Sequence, residues 1–574
     1  MSQLFAFSIQ LQRICFAFLV CLILALTLHA NADAVDDYIE HRMLREHIPG
    51  LSLVVMKDGK ILKAKGYGHA SLELNVPTST ATVYELASTT KPFVAAAIML
   101  LVQDGKLSLD DKITAYLKDT PEAWKAITIR QLLSHTSGIK DYANELRHDF
   151  PSDTPPDQII KAAMDAPLNF QPGSQWAYSN TGYVILGVIA ARVSGQTYDE
   201  FLQERVFKPL GMQDTRRDSS DGVFKNRATG YLWVGGEYHN AEFLKYMMTN
   251  YGDRGLLSTV MDLAKWDSAL SSNRILSKAA TALMWSPVIK FDGGGTYEFG
   301  YGLGWFIKEV NGHRQISHPG GAPGAGAILS RYPDDGLTVI MLVNGGKAFM
   351  QALDLGVAQH YIPGLAKAVP ARVSTRLLDS YTGYYNAYGS QILTALRYKS
   401  CLYLDDGGGL NNDFIPVSDT RFVAEEADRA FTVVPDAKLA DAILQLGKDK
   451  MSVQRIGPLA RGVVPQPDPD PMLTHQIQDI LISFAHGGEA VERVALLAPQ
   501  ARKDFSHGPA NELAGVGSIS YICEQKVSGR GIQRHGMEVS RVIYYRLLTP
   551  GAAKYVLIYL TPGNLVTDED VVSD

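Results

Sequence analysis

Ser88-Thr89-Thr90-Lys91 opens an apolar, alanine-rich run from Pro92 to Leu101. On a helix the i, i+3 spacing stacks two side chains on one face, so the Lys91 amine can reach the Ser88 hydroxyl. A free serine is a poor nucleophile because its hydroxyl keeps its proton at neutral pH. A nearby amine of lowered pKa can take that proton. Pro92 suits the first helical turn, where N–H groups lack intrahelical partners, and Gly105 marks the far end. Taken alone, the same residues also describe a helix start with an N-capping serine and a solvated lysine.

Two further groupings have the same character. Tyr178-Ser179-Asn180 lies just ahead of an apolar helical run from Val184 to Val193. A Tyr-x-Asn loop offers a phenol and an amide pointing the same way. The phenol can shuttle a proton if a neighbouring lysine lowers its pKa. The amide can bond a substrate carbonyl and Lys91 together. Viewed singly, the loop also reads as a buried aromatic followed by an N-capping asparagine. His318-Pro319-Gly320 sits among small residues, Ile316 to Ala327, where a substrate backbone can approach closely.

In this order and with these separations, the three groupings resemble the serine β-lactamase and penicillin-binding protein superfamily, and within it the class C-like branch. That branch includes class C β-lactamases, D,D-carboxypeptidases, D-aminopeptidases and family VIII esterases. The stretches Ile129 to Gly138, Gly255 to Thr259 and Tyr301 to Trp305 also look like this branch, and the resemblance covers about residues 35–365. It implies covalent acyl transfer. Ser88 attacks a carbonyl, Lys91 and Tyr178 share the base role, and Asn180, His318 and Gly320 contact substrate. The oxyanion needs two donors, and the resemblance assigns them to the backbone N–H groups of Ser88 and Gly321. Water then hydrolyses the acyl-enzyme, with Tyr178 as its base. No metal or organic cofactor is required. Which of Lys91 and Tyr178 takes the serine proton is open at this level.

The third grouping departs from the superfamily's usual Lys-Thr-Gly, whose cation and hydroxyl help hold a substrate carboxylate. Histidine is mostly neutral near pH 7, and proline offers neither hydroxyl nor N–H. The His-x-Gly form resembles that of some esterases and D-aminopeptidases of the branch, so the expectation moves from β-lactamase towards those. His135, in Leu-Leu-Ser-His-Thr-Ser-Gly, invites a triad with Ser88. The resemblance places that segment in a structural loop.

The elements that must position these groups follow from pattern. Leu51 to Met56 and Ile61 to Tyr67 flank Asp58-Gly59, a β-hairpin signal. Helical periodicity dominates residues 90–285. Strands return at Leu303–Val310, Arg314–Ser317, Ala327–Tyr332 and Thr338–Val343. Strands at both ends with helices between predict a mixed α+β domain, an antiparallel sheet closed by both chain ends beside a helical subdomain.

With 574 residues the chain needs more than one core. The first domain spans 35–365. Residues 374–462 carry short strand-like runs with turn signals and resemble the small lipocalin-like barrel appended to some family members. Pro465 to Pro471 reads as a stiff, extended linker. Residues 472–574 form a compact α+β unit, analogous to nuclear-transport-factor-2-like modules, with a helix over His475–Val494 and no catalytic set. Its His475, His486, His507 and His535 lack metal-ligand spacing and read as surface residues.

Residues 1–34 read as a secretory signal: Arg13, an apolar core from Ile14 to Leu28, and a small-residue cleavage site at Ala30-Asn31-Ala32. An uncleaved anchor is the alternative, and Val20 before Cys21 fits a lipoprotein site poorly. Cys401 and Cys523 would remain after cleavage, as two separate buried thiols. A composition of 46% hydrophobic and 20% charged residues is globular, and the net charge of −6 gives no footing for nucleic acid.

Together these readings describe an exported serine hydrolase, periplasmic or secreted, acting on small esters, amides or D-amino-acid peptides and associated with the cell envelope. A cell-wall D,D-carboxypeptidase, penicillin-binding protein or β-lactamase is the alternative. A non-catalytic binding protein on the same scaffold is the alternative from another class.

Overall fold

The computed structural model describes residues 34–572 apart from 144, 147–153, 220–221, 235–236, 242–250, 293–297, 346–349, 366–370, 388–390, 399, 406–410, 425–428, 435–440, 447–448, 486–495, 499–516, 529–531, 535–536 and 549–553. The expected signal lies outside the described residues except for its last position. His486, His507 and His535 lie outside them as well. Near residue 366 the chain divides into two compact units.

In the first unit, β1 (Gly50–Lys57) and β2 (Lys60–Ser71) pair antiparallel. Asp58 and Gly59 between them have φ of 48° and 75°, the left-handed pair that a tight hairpin turn demands. A short β3 (Val76–Pro77) extends one edge. β4 (Ile289–Asp292), β5 (Glu298–Tyr301), β6 (Phe306–Val310), β7 (His313–Ala322), β8 (Ala325–Tyr332) and β9 (Leu337–Val343) complete a nine-stranded sheet of order β3-β2-β1-β9-β8-β7-β6-β5-β4. The pairing of β1 with β9, Leu51 opposite Val343, joins the two ends of the unit.

β1 reads as an almost unbroken apolar run because helices cover both sheet faces. Leu51, Leu53 and Val55 pack with the N-terminal helix α1 (34–45) and with α5 (Met350–Ala358). Val54 and Met56 point the other way, into the larger core. That core is built around α2 (Lys91–Gln103), α3 (Asn180–Ser194) and α4 (Val260–Ser271). α2 is buried from Lys91 to Leu101, so it is a central helix, not an amphipathic surface one. α3 starts four residues before the apolar run that announces it. Ser179 caps it by accepting the Gly182 N–H at 3.2 Å, and Asn180 is its first residue, not its cap.

In the second unit, eight strands close into a barrel: β10 (Gly383–Ala387), β11 (Gln391–Tyr398), β12 (Cys401–Asp405), β13 (Asn411–Pro416), β14 (Arg421–Ala424), β15 (Arg429–Val433), β16 (Ala442–Leu446) and β17 (Asp449–Gly457). Tyr385, Leu402, Phe414, Phe422, Phe431 and Leu444 belong to its buried cluster, as expected where a small barrel is filled by side chains. Tyr381 ends a Ser374-capped helix and does not enter the first strand.

Helix α6 (Pro471–Ala485) packs on a four-stranded sheet, β18 (Ser518–Lys526), β19 (Arg541–Leu548), β20 (Lys554–Leu560) and β21 (Val566–Val572). The acidic centre of β21 hid it from sequence patterning. Asp568 and Asp570 there hold the buried Arg534 at 3.0 and 2.9 Å. Barrel and sheet share a core that includes Tyr384, Ile456, Val542 and Tyr544. The proline-rich run between them is tied down, with Gln466 N–H donating to Ile522 O at 2.8 Å, so it does not act as a spacer. Among the described residues Cys401 and Cys523 are in no disulfide, Cys523 being buried and Cys401 only half-buried. Among the described residues no helix is long and apolar enough to cross a membrane.

Candidate active site

Ser88 sits in a single 3₁₀ turn, Ala87–Thr90, immediately ahead of α2. Ala87 takes φ +44°, a left-handed conformation that costs an alanine free energy and persists only where the surroundings over-determine it. The surroundings do so here. Leu86 N–H donates to Leu256 O at 2.8 Å, and Leu256 N–H donates to Thr90 Oγ1 at 3.3 Å. On the other side Thr89 Oγ1 donates to His318 O at 3.1 Å, tying the turn to β7.

β7 comes this close because position 320 has no side chain. A Cβ on Gly320 would overlap the carbonyl oxygen of Leu86 and lie 2.9 Å from Thr89 N. Gly321, the next residue, is exposed, with no heavy atom within 4 Å of where a Cβ would stand. The backbone at 321 therefore borders open space beside the nucleophile turn.

Lys91 is fully buried, and its Nζ lies 3.1 Å from Ser88 Oγ, 2.8 Å from Asn180 Oδ1 and 2.7 Å from the main-chain oxygen of Asp253. Burial lowers its pKa to about 8, against the opposing pull of the Asp253 and Asp141 carboxylates. Asn180 is held in turn by Asp141, which accepts from its backbone N–H at 2.9 Å and its amide at 3.3 Å. The Tyr178 hydroxyl is hydrogen-bonded to Ser88, and the Lys91 amine stands 4.8 Å from the centre of the Tyr178 ring.

The sequence reading expects the lysine to lower the Tyr178 pKa. The structure reverses this. Burial pushes the phenol well above its ordinary value, and Lys91 faces the ring rather than the oxygen. Tyr178 is thus a neutral phenol at physiological pH, and Lys91 is the group poised to change charge.

His318 is 1% exposed, and both its nitrogens are engaged. Nδ1 donates to the Pro319 carbonyl at 2.7 Å, which leaves Nε2 to accept from the Tyr301 hydroxyl at 3.1 Å. Burial, then the nearby Lys91, lower its pKa to about 3, so the ring is neutral. Expected as a substrate contact, it offers no unengaged donor in this state and instead braces the site wall.

His135 packs against Tyr178 with ring centres 4.3 Å apart and the planes tilted, and its Nδ1 accepts the Ser179 N–H at 3.1 Å. It supports the Tyr178 loop, with φ +58°, and forms no triad with Ser88. Sequence reasoning missed Asp141, Tyr142 and Asp253, and noted Tyr301 only as the start of a family-like stretch. The first three carry no local signal, since each acquires its partners only by long-range packing. The half-buried rings of Trp176 and Phe306 flank Tyr301, 6.1 and 4.8 Å from it between ring centres, and give the site an apolar aromatic side.

A sheet covered by helices on both faces, with a serine turn and a buried lysine at the head of its central helix, is the scaffold of a serine hydrolase. The β-lactamase family model matches residues 35–361, more than half of the chain, and the chain belongs to that family. Penicillin-binding protein 4* of Bacillus subtilis (strain 168) is 31% identical over 434 residues, 70% of this chain and 94% of that protein. The octameric penicillin-binding protein homologue from Pyrococcus abyssi matches with a TM-score of 0.56 and 26% identity, covering 74% of this chain and all of that one. D-amino acid amidase from Ochrobactrum anthropi SV3, complexed with D-phenylalanine, matches with a TM-score of 0.51 and 25% identity over 58% of this chain and 98% of that one.

Proposed function

We propose that the protein is an exported serine hydrolase that forms an acyl-enzyme on Ser88 with small esters or amides, D-amino-acid peptides among them. The observation that carries the reading is the set of partners around Lys91 Nζ. A neutral amine has two N–H donors and one lone pair. Asn180 Oδ1 and the Asp253 carbonyl can only accept, so they take the two donors. The lone pair is then left for the Ser88 hydroxyl, 3.1 Å away.

In the first step Lys91 takes the Ser88 proton as Oγ bonds to the substrate carbonyl carbon. The oxyanion accepts from the backbone N–H groups of Ser88 and Gly321. The proton passes from the Lys91 ammonium to the leaving alkoxide or amine, which the neutral Tyr178 phenol beside Ser88 steadies with a hydrogen bond, and the carbonyl reforms as that bond breaks. Water repeats the sequence on the acyl-enzyme and releases the acid.

Replacement of the usual cationic third motif by a buried, neutral His318 supports neutral acyl groups over substrates that end in a free carboxylate. The amidase relative supports amides of D-amino acids. The penicillin-binding relative supports a second reading, a cell-envelope D,D-peptidase that β-lactams acylate. A panel of p-nitrophenyl esters, nitrocefin and D-alanyl anilides, run on wild type and Ser88→Ala, separates them. Ester or anilide turnover that falls by several orders of magnitude in Ser88→Ala, with an unchanged circular dichroism melt, is the expected result. Near-wild-type turnover in the variant overturns the reading. Slow, stoichiometric acylation by nitrocefin without ester turnover favours the second.

A further inference from the structure

Asp253 is fully buried, lies 162 positions from Lys91 in the chain, and belongs to none of the three groupings. It occupies a turn bounded by two left-handed glycines, Gly252 at φ 82° and Gly255 at φ 93°. A Cβ on Gly252 would lie 2.5 Å from the Tyr183 carbonyl, so the turn is pressed against α3. This geometry aims the Asp253 carbonyl at Lys91.

The side chain is held by far less. Its Oδ2 accepts from the Tyr142 hydroxyl at 2.8 Å, while Oδ1 has no hydrogen-bond partner among the described residues. A fully buried carboxylate with so little support is expensive, and such groups persist where they serve a purpose. The next residue, Arg254, does not neutralise it directly, because its guanidinium is taken up by a buried ion pair with Glu85, Nε to Oε1 at 3.0 Å.

We propose that Asp253 is a positioning residue for the acyl transfer: its carbonyl fixes the Lys91 amine, and its carboxylate, clamped by Tyr142, stabilises the ammonium that Lys91 becomes on taking the Ser88 proton. This rests on Lys91 as the base. Without the carboxylate, the proton would move from serine to an isolated buried amine, with no opposite charge from this turn to receive it. With it, Lys91 is a stronger base, at the expense of a larger protonated fraction at rest.

Other charged and titratable groups surround the pair. Asp141 bears on Lys91 from the opposite side, through Asn180. His135 and His318 are both kept neutral by burial, and Lys91 adds to the effect. The phenols of Tyr142, Tyr178, Tyr183 and Tyr198 are all raised by burial and stay protonated, with the Tyr183 ring centre 5.5 Å from the Lys91 amine. Arg254 opposes the two carboxylates at Lys91. Burial lifts Asp253 itself to about 6.

Asp253→Asn isolates the charge, since the main-chain carbonyl remains and the amide oxygen still accepts from Tyr142. The experiment is the pH dependence of kcat/KM for p-nitrophenyl butyrate, in the full-length wild type, Asp253→Asn and Tyr142→Phe. Labelling of Ser88 by a fluorophosphonate, read by intact mass, runs in parallel. The acidic limb of Asp253→Asn is expected to move to lower pH by about one unit, because loss of an anion lowers an amine's pKa. Its plateau should fall by about tenfold, as the weaker base accepts the proton less readily. Tyr142→Phe strips the carboxylate of its donor, makes it easier to protonate, and should move the limb the same way by a smaller amount. A limb that stays in place while activity falls means a structural role and overturns the proposal. If Asp253→Asn does not fold, an unmoved limb in Tyr142→Phe overturns it instead. Failure of the wild type to label at Ser88 refutes the acyl-enzyme reading itself, a result distinct from either.

Discussion

Replacing Lys91 by arginine separates a base from a cation. Both side chains carry a positive charge and donate hydrogen bonds, but arginine does not give up its proton in proteins. Lys91, lowered by burial to about 8, is about one-tenth neutral at pH 7 and about half neutral at pH 8. A guanidinium of pKa above 12 is neutral in fewer than about one molecule in 10⁴ at pH 8. If only the neutral form activates Ser88, Lys91→Arg should lose about 10³- to 10⁴-fold in kcat/KM. The sign for wild type follows from the same value. Lysine acts after losing a proton, so kcat/KM should rise about tenfold per pH unit below about 8 and level off above it. The assay is p-nitrophenyl butyrate hydrolysis from pH 6 to 10, with a circular dichroism melt to establish that the variant is folded. A folded arginine variant within tenfold of wild type, or a wild-type limb near pH 6, would refute Lys91 as the base.

Two further outcomes follow from packing. Gly320→Ala drives a methyl group into the Leu86 carbonyl, so β7 must move away from the nucleophile turn. Overpacking of this kind costs about 1–3 kcal/mol, and a shift near 1 Å at the site costs about 10²-fold in rate, to be read by thermal melting and ester turnover. Glu85→Gln leaves the buried Arg254 guanidinium without its counter-charge. Breaking such a pair costs about 3–5 kcal/mol, so the melting temperature of the first unit should fall by several degrees, and an unchanged melt would show that the pair contributes nothing to stability.

Local spacing was enough for several features. The Ser88–Lys91 contact depends on one turn of backbone, and the Asp58-Gly59 hairpin depends on two adjacent residues that tolerate positive φ. The strands Ala325–Tyr332 and Leu337–Val343 and helices α2 and α3 follow from apolar runs, and their packing into one mixed α+β unit follows from the order of those runs. Strand β21 was illegible because its central carboxylates are buried against Arg534, and a buried ion pair looks polar in a sequence.

The division of labour at the site was decided by tertiary structure alone. A pKa reflects what surrounds a group in three dimensions. Tyr178 and Lys91 read as interchangeable bases until burial raises one and lowers the other. His318 reads as a substrate contact until Tyr301 and the Pro319 carbonyl occupy its two nitrogens. Asp253 has no motif of its own. It reaches Lys91 because glycines at 252 and 255 permit a turn that places its carbonyl 2.7 Å from the amine of a lysine 162 positions away, where its carboxylate charge is felt as well. The sequence by itself determined which residue types could attack and exchange protons. Folding, by excluding water from some of them and pairing others, decided which proton moves.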